Sequence, residues 1–215
     1  MQPAAHNPVV PSVTALPASS DLPPHACDDG QLAVRTAQGD LAASEELVRR
    51  HQAPVRGFLR AVCYDRSAID DLAQETFLRA IKHAGRFDPK YPMRAWLLTI
   101  ARRLSINHGQ KEKRRRPAAG IEPDQLQNHS THTDPSNQLE QQEQQSLSRD
   151  MVNQAMAKLS EPQRAAIAMH YQQGLPLEQI AHALDMPMGT VKSHLYRGRQ
   201  RMKEILELQA ERLTP

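Results

Sequence analysis

Between Leu177 and Met202 the apolar residues fall into two helical registers separated by a short break. Leu177, Ile180, Ala181 and Leu184 stand at i, i+3, i+4 and i+7, which places them on one buried stripe. Asp185, Met186 and Pro187 interrupt that stripe. The spacing predicts a second helix from Gly189-Thr190, with Thr190 as N-cap, burying Val191, Leu195, Gly198 and Met202. Gly198 on the inner face would let the first of the two helices pack closely. A further helix is expected from Ser160-Glu161-Pro162-Gln163, where Ser160 can cap, Pro162 lies in the first turn and Gln163 can complete a capping box. Gly174 is placed to end it. Three helices of this kind, the last two joined by a tight turn, make a helix-turn-helix unit with enough apolar surface to close its own core.

The upstream half repeats the helical pattern. Helices are expected near 31–38, then, after a Gly39-Asp40 turn, over 42–50 and 55–63. The strongest periodicity runs from Ile69 to Ala84: Ile69, Leu72, Ala73, Thr76, Phe77, Ala80, Ile81 and Ala84 form a stripe, with Asp70, Asp71, Gln74, Glu75 and Arg79 off it. A loop with two prolines and two aromatic residues follows, Gly85 to Pro92. The next helix, Met93 to about Gln110, turns Trp96, Leu97, Ile100, Ala101 and Leu104 to its core and carries Arg94, Arg102, Arg103 and Asn107 elsewhere, with Lys111–Arg116 extending its basic end.

Strict two-residue alternation is absent, so the expected fold class is all-α: two small helical domains joined by a flexible linker, the second a helix-turn-helix. Residues 1–30, rich in Pro, Ala and Ser, are expected as a disordered tail. The first domain spans 31–116 and the second 150–208, leaving a short tail at 209–215. The linker, 117–149, is built of Gln, Asn, His, Ser and Pro and is longer than compact domains normally contain.

Charge sharpens this division. The chain of 215 residues has a formal net charge of only +3, but over 31–116 eighteen lysines and arginines stand against nine acidic residues, whereas over 117–158 two stand against six. A basic block followed by an acidic connector suits a polyanion-binding domain on a tether that does not compete for the same ligand. On the second helix of the helix-turn-helix, Lys192, Ser193, Tyr196, Arg197 and Arg199 occupy the outer face. Arg and Lys contact phosphates or guanine edges, Ser donates to phosphate, and Tyr supplies a flat surface with a hydroxyl. In the first domain, Phe87 and Tyr91 lie in a loop beside Arg94 and other arginines. A basic run such as Lys111–Arg116 is by itself an ordinary solvated helix end; with aromatics beside it, it fits a site where unstacked bases are held, since each base–aromatic stack contributes about 1 to 3 kcal/mol.

Other chemistry is poorly represented. Cys27 and Cys63 are the only cysteines and show neither metal spacing nor a disulfide framework, which points to a reducing compartment. His129 and His132 have no further ligand cluster around them. No metal, cofactor or catalytic residue is expected: there is no metal-spaced carboxylate cluster, no Gly-rich phosphate loop and no nucleophile with a paired His. No apolar run is long enough to insert into a membrane and no secretory leader is evident, so a cytoplasmic location is expected. Two functions fit these residues. One is a DNA-binding subunit that docks on a larger partner; the other is a self-sufficient repressor or activator whose first domain dimerises. The acidic polar side of the Ile69–Ala84 helix and the aromatic loop after it have no evident purpose in a dimeriser.

Three stretches together resemble the sigma-70 family of bacterial initiation factors, in its small two-domain extracytoplasmic-function group (group 4). They are Asp71-Leu-Ala-Gln-Glu-Thr-Phe-Leu-Arg-Ala80, Arg94-Ala-Trp-Leu-Leu-Thr-Ile-Ala-Arg102, and Leu159-Ser-Glu-Pro-Gln-Arg164 leading to Gly189-Thr-Val-Lys-Ser-His-Leu-Tyr-Arg-Gly-Arg199. The resemblance covers about 31–205. It implies that Asp71, Gln74 and Glu75 dock on the clamp helices of core RNA polymerase, and that Phe87 and the loop through Tyr91 and Arg94 capture flipped bases of the minus-ten element. It implies also that Lys192, Ser193, Tyr196, Arg197 and Arg199 read the minus-thirty-five element of promoter DNA. The acidic linker resembles the connector that such proteins thread through the polymerase. Regulation by a separate anti-sigma factor is implied, since no such module is attached. Arg103 departs from the pattern, standing where many relatives carry Asn, and the proline-rich tail lies outside it.

Overall fold

The computed structural model describes residues 22–115 and 150–213, and among these every regular element is helical. The chain enters through a short 3-10 turn, Pro24–Ala26, so the fold begins earlier than the tail expected at 1–30. The residues after the turn are held firmly. Cys27 is buried, and Asp28 caps α1 (Asp29–Ala37) through a reciprocal box in which Gln31 N–H donates to its carboxylate at 2.8 Å and its own N–H donates to Gln31 Oε1 at 2.9 Å. Gly39, at φ 89°, makes the reversal that a side chain would resist, and Asp40 caps the next helix by accepting from Ala43 N–H at 3.1 Å.

Helix α2 runs unbroken from Leu41–Val62, where two helices were expected. Pro54 lies inside it. The proline removes one internal hydrogen bond, but Leu47, His51, Val55, Phe58, Leu59 and Val62 form one buried face across it, and packing carries the helix through. Helix α3, Ile69–Lys82, buries Ile69, Leu72, Ala73, Thr76, Phe77 and Ala80 of the predicted stripe, but Ile81 is only partly buried and Ala84 lies beyond the helix in a short 3-10 turn, Ala84–Arg86. Helix α4, Met93–Arg115, starts directly after Pro92 and continues through the basic end.

In the second half, α5 is described over 150–157. Helix α6, Glu161–Ile167, opens with Gln163 Oε1 accepting from Ser160 N–H at 3.1 Å, then widens into a π turn over Ala168–Gln172 that ends at Gly174, φ 66°. Helix α7, Leu177–Leu184, stops at Asp185, whose left-handed conformation (φ 55°) turns the chain. Helix α8, Met188–Leu213, starts earlier than expected. Pro187 O accepts from both Thr190 and Val191 N–H, so Thr190 lies within the first turn rather than capping it. The helix also continues past Leu208, through most of the stretch expected as a tail. The close approach at Gly198 is made by α6 rather than α7: a Cβ there would lie 2.7 Å from Ile167 Cδ1.

The two halves pack against each other. One buried cluster extends from Ala33 and Leu47 in the first half to Val191 and Leu195 in the second, with α7 against α4 and α6 with its π turn against α2. The sequence at 117–149, expected as a flexible acidic linker and containing His129 and His132, lies outside the described residues.

Candidate nucleic-acid and polymerase-binding surfaces

Helix α8 separates its faces as the spacing predicts. Val191, Leu195 and Gly198 are buried and Met202, expected with them, is partly buried, whereas Lys192, Ser193, Tyr196, Arg197 and Arg199 are exposed on the opposite side. The contact between Gly198 and Ile167 seats the helix on α6, so the exposed row is displayed by a supported element. Ser193 Oγ donates to its own helix at Gly189 O, 3.0 Å, and Arg199 Nη1 lies 3.4 Å from the Tyr171 hydroxyl. Lys192 and Arg197 have no hydrogen-bonded partner among the described residues, which leaves both cations available to an anion.

Helix α3 presents a second surface. Asp71 and Gln74 are exposed, and Glu75 is half-exposed and bridged to Arg79 at 2.6 Å. Leu78, 56% exposed, lies three or four residues from Gln74 and Glu75 and so shares their face. It was not singled out from the sequence. The available signal was an apolar residue out of register with the buried stripe.

The aromatic loop is the third surface, and here the structure adds most. Phe87 is half-buried and packs on Trp96, ring centroids 5.6 Å apart. Tyr91 is stacked on His182 of α7, centroids 3.7 Å apart and planes 5° from parallel, with Lys90 Nζ 5.7 Å from its ring centre. Arg94 Nη1 donates to Gln173 O at 2.9 Å. The three predicted residues therefore line one side of the first half, but two of them are engaged by the second. His182 and Gln173 were missed because contacts between distant segments leave no mark in local periodicity. Arg103 is exposed on α4, away from these contacts, and the basic end at Lys111–Arg115 is largely exposed.

Trp96 and Ile100, expected in the core, are only partly buried, whereas Ala95 and Leu98 are buried. Helix α4 thus has two covered sides, one against α2 and α3 and one against α7. Around this junction Arg102 makes a bidentate pair with Glu161 (2.8 and 2.8 Å), Thr99 Oγ1 donates to Ala183 O at 3.3 Å, and Gln173 Nε2 donates to Pro54 O at 3.3 Å.

Both cysteines are buried free thiols, and burial pushes the Cys63 thiol up, away from a nucleophilic thiolate. Among the described residues no group of His, Cys, Asp and Glu could hold a metal ion, and no helix is long and apolar enough to cross a membrane.

A helix-turn-helix with an exposed basic face, packed against a helical half that carries a polar face on α3 and an aromatic, basic loop, defines a DNA-binding protein of the transcription machinery. Residues 47–115 match region 2 of the sigma-70 factors and residues 149–202 match their region 4. The chain belongs to the extracytoplasmic-function group of the sigma-70 family and is an RNA polymerase sigma factor acting in transcription initiation. It is 32% identical to a probable RNA polymerase sigma-C factor of Mycobacterium bovis, over 78% of this chain and 85% of that one. It is 28% identical to the RNA polymerase sigma-H factor of Pseudomonas aeruginosa, over 83% and 94%. In fold it is similar to the sigma factor RpoE of Bartonella quintana, solved with the anti-sigma factor NepR, with a TM-score of 0.62 and 23% identity over 76% of this chain and 96% of that one.

Proposed function

We propose that the three surfaces divide the work of initiation. Asp71, Gln74 and Glu75, with Leu78 among them, dock on core RNA polymerase: the carboxylates pair with basic residues, Gln74 hydrogen-bonds, and Leu78 gives the patch an apolar centre. Lys192, Ser193, Tyr196, Arg197 and Arg199 enter the major groove of the upstream promoter element. Phe87, Tyr91 and Arg94 receive bases extruded from the downstream element, so melting is coupled to binding: a base that leaves the duplex stack regains stacking on protein. The division runs over 24–116 and 150–213, with 117–149 as the connector. The protein carries no catalysis of its own and works in the cytoplasm, where the polymerase is. A separate anti-sigma chain restrains it, a reading supported by the solved relative having been captured with one.

The observation that carries this reading is the row of exposed cations on α8, seated by Gly198 on α6, of which Lys192 and Arg197 have no hydrogen-bonded partner among the described residues. The test is transcription from a promoter library by sigma-free core polymerase supplemented with this protein. Specific starts are expected, and Arg197→Ala should weaken promoter binding by about 1 to 3 kcal/mol where it makes a base contact. Specific DNA binding without any transcript would replace the proposal with a self-sufficient repressor or activator.

A further inference from the structure

The second half engages Tyr91 and Arg94, two of the three residues assigned above to unstacked bases, and it does so with groups that resemble a nucleotide. The His182 imidazole lies on Tyr91 at 3.7 Å and 5° from parallel, the disposition of a base on an aromatic platform. Gln173 O accepts from Arg94 at 2.9 Å, as a phosphate oxygen would along a strand. A flat ring and an acceptor oxygen are thus supplied together, by α7 and the turn before it. The geometry points to an internal occupant: His182 and Gln173 fill the nucleotide site of the first half, and the closed molecule competes with the melted strand for Tyr91 and Arg94. This inference rests on the assignment of Tyr91 and Arg94 to base capture.

Polar contacts and one strained group accompany the apolar seam between the halves. Arg102–Glu161 and the Thr99 and Gln173 hydrogen bonds are polar contacts that water can replace. Arg164, 3% exposed, stands 4.1 Å over the Tyr64 ring, and its Nε has no acceptor among the described residues. A desolvated cation with an orphaned N–H opposes closure and offsets part of what burial of Leu98 and Ile180 contributes. The exposed face of α8 stays uncovered in the closed arrangement. In the closed arrangement the Tyr91 ring and the Arg94 guanidinium are therefore engaged while the duplex-reading helix stays free.

The test uses the full chain and a fluorescein-labelled pool of single-stranded DNA of about twelve randomised nucleotides, followed by anisotropy. His182→Ala removes the stacked ring without touching the core. It is expected to bind the pool roughly fivefold more tightly than the unmodified chain, as loss of one aromatic stack from the closed state implies. Tyr91→Ala, alone or with His182→Ala, is expected to lose the binding. If His182→Ala binds no better while Tyr91→Ala still loses binding, the internal occupant is overturned and base capture stands. If Tyr91→Ala changes nothing in either background, base capture at Tyr91 is overturned and the inference falls with it.

Discussion

Glu46 shows how much of the fold hangs on single side chains. It is 8% exposed, yet charged, because Arg49 and Arg50 both donate to its carboxylate at 2.7 Å. Those hydrogen bonds hold its pKa down at about 2 against an ordinary 4.5. Arg50 extends the network to Cys27 O (2.8 Å) and His25 O (2.9 Å), and Asp29, held below the usual carboxylate range first by its hydrogen bond with His51, completes it. The network fastens residues 24–29 to α2. A carboxylate with a depressed folded pKa contributes stability that is present above its unfolded value and disappears as pH falls through the folded one. Chemical unfolding at a series of pH values should therefore show stability falling between pH 4.5 and about 2. Glu46→Gln should be less stable at neutral pH and show a shallower decline across that window. An unchanged decline would mean that other carboxylates carry the acid sensitivity.

Helix α3 is the element whose two sides have separate jobs. Its inner stripe, Ile69 to Ala80, is fixed by packing on α2 and α4, so its outer residues tolerate substitution without loss of fold. Replacing Asp71 and Glu75 together by Lys should leave the helical circular dichroism intact and weaken association with core polymerase by about a hundredfold or more, since like charges brought together at an interface cost several kcal/mol. Full association in a pull-down of core polymerase would place the docking surface elsewhere. The division of α3 was legible in the sequence because a helix against a single core leaves a regular period. Helix α4 was less so: with α2 and α3 on one side and α7 on another, its buried residues Ala95, Leu98, Ala101 and Leu104 do not reduce to a single stripe.

For the molecule as a whole, the relation of the two halves matters most, and Arg102 is the handle on it. Its paired hydrogen bonds to Glu161 cross the junction, and both groups are largely shielded, at 15% and 29% side-chain exposure. Arg102→Glu sets two carboxylates against each other there, while the cores within each half are untouched. Small-angle X-ray scattering of that variant should report a larger radius of gyration than the unmodified chain. No change would show that the apolar contacts of α4 with α7 hold the halves together without the ion pair.

Local physics carried a good deal of this protein on its own. The all-helical class, the registers of α3, α7 and α8, the outer faces of α3 and α8, and the capping at Ser160 and Gln163 all depend on residues three or four apart, and such neighbours are visible in a linear chain. The continuity of α2 through Pro54, the placing of Gly198 against Ile167, the second covered side of α4, and the engagement of Tyr91 by His182 and of Arg94 by Gln173 depend on segments up to about ninety residues apart. Whether a proline is carried through a helix, or an exposed aromatic ring meets a partner, follows from which distant surface packs there, and only the tertiary structure decides that.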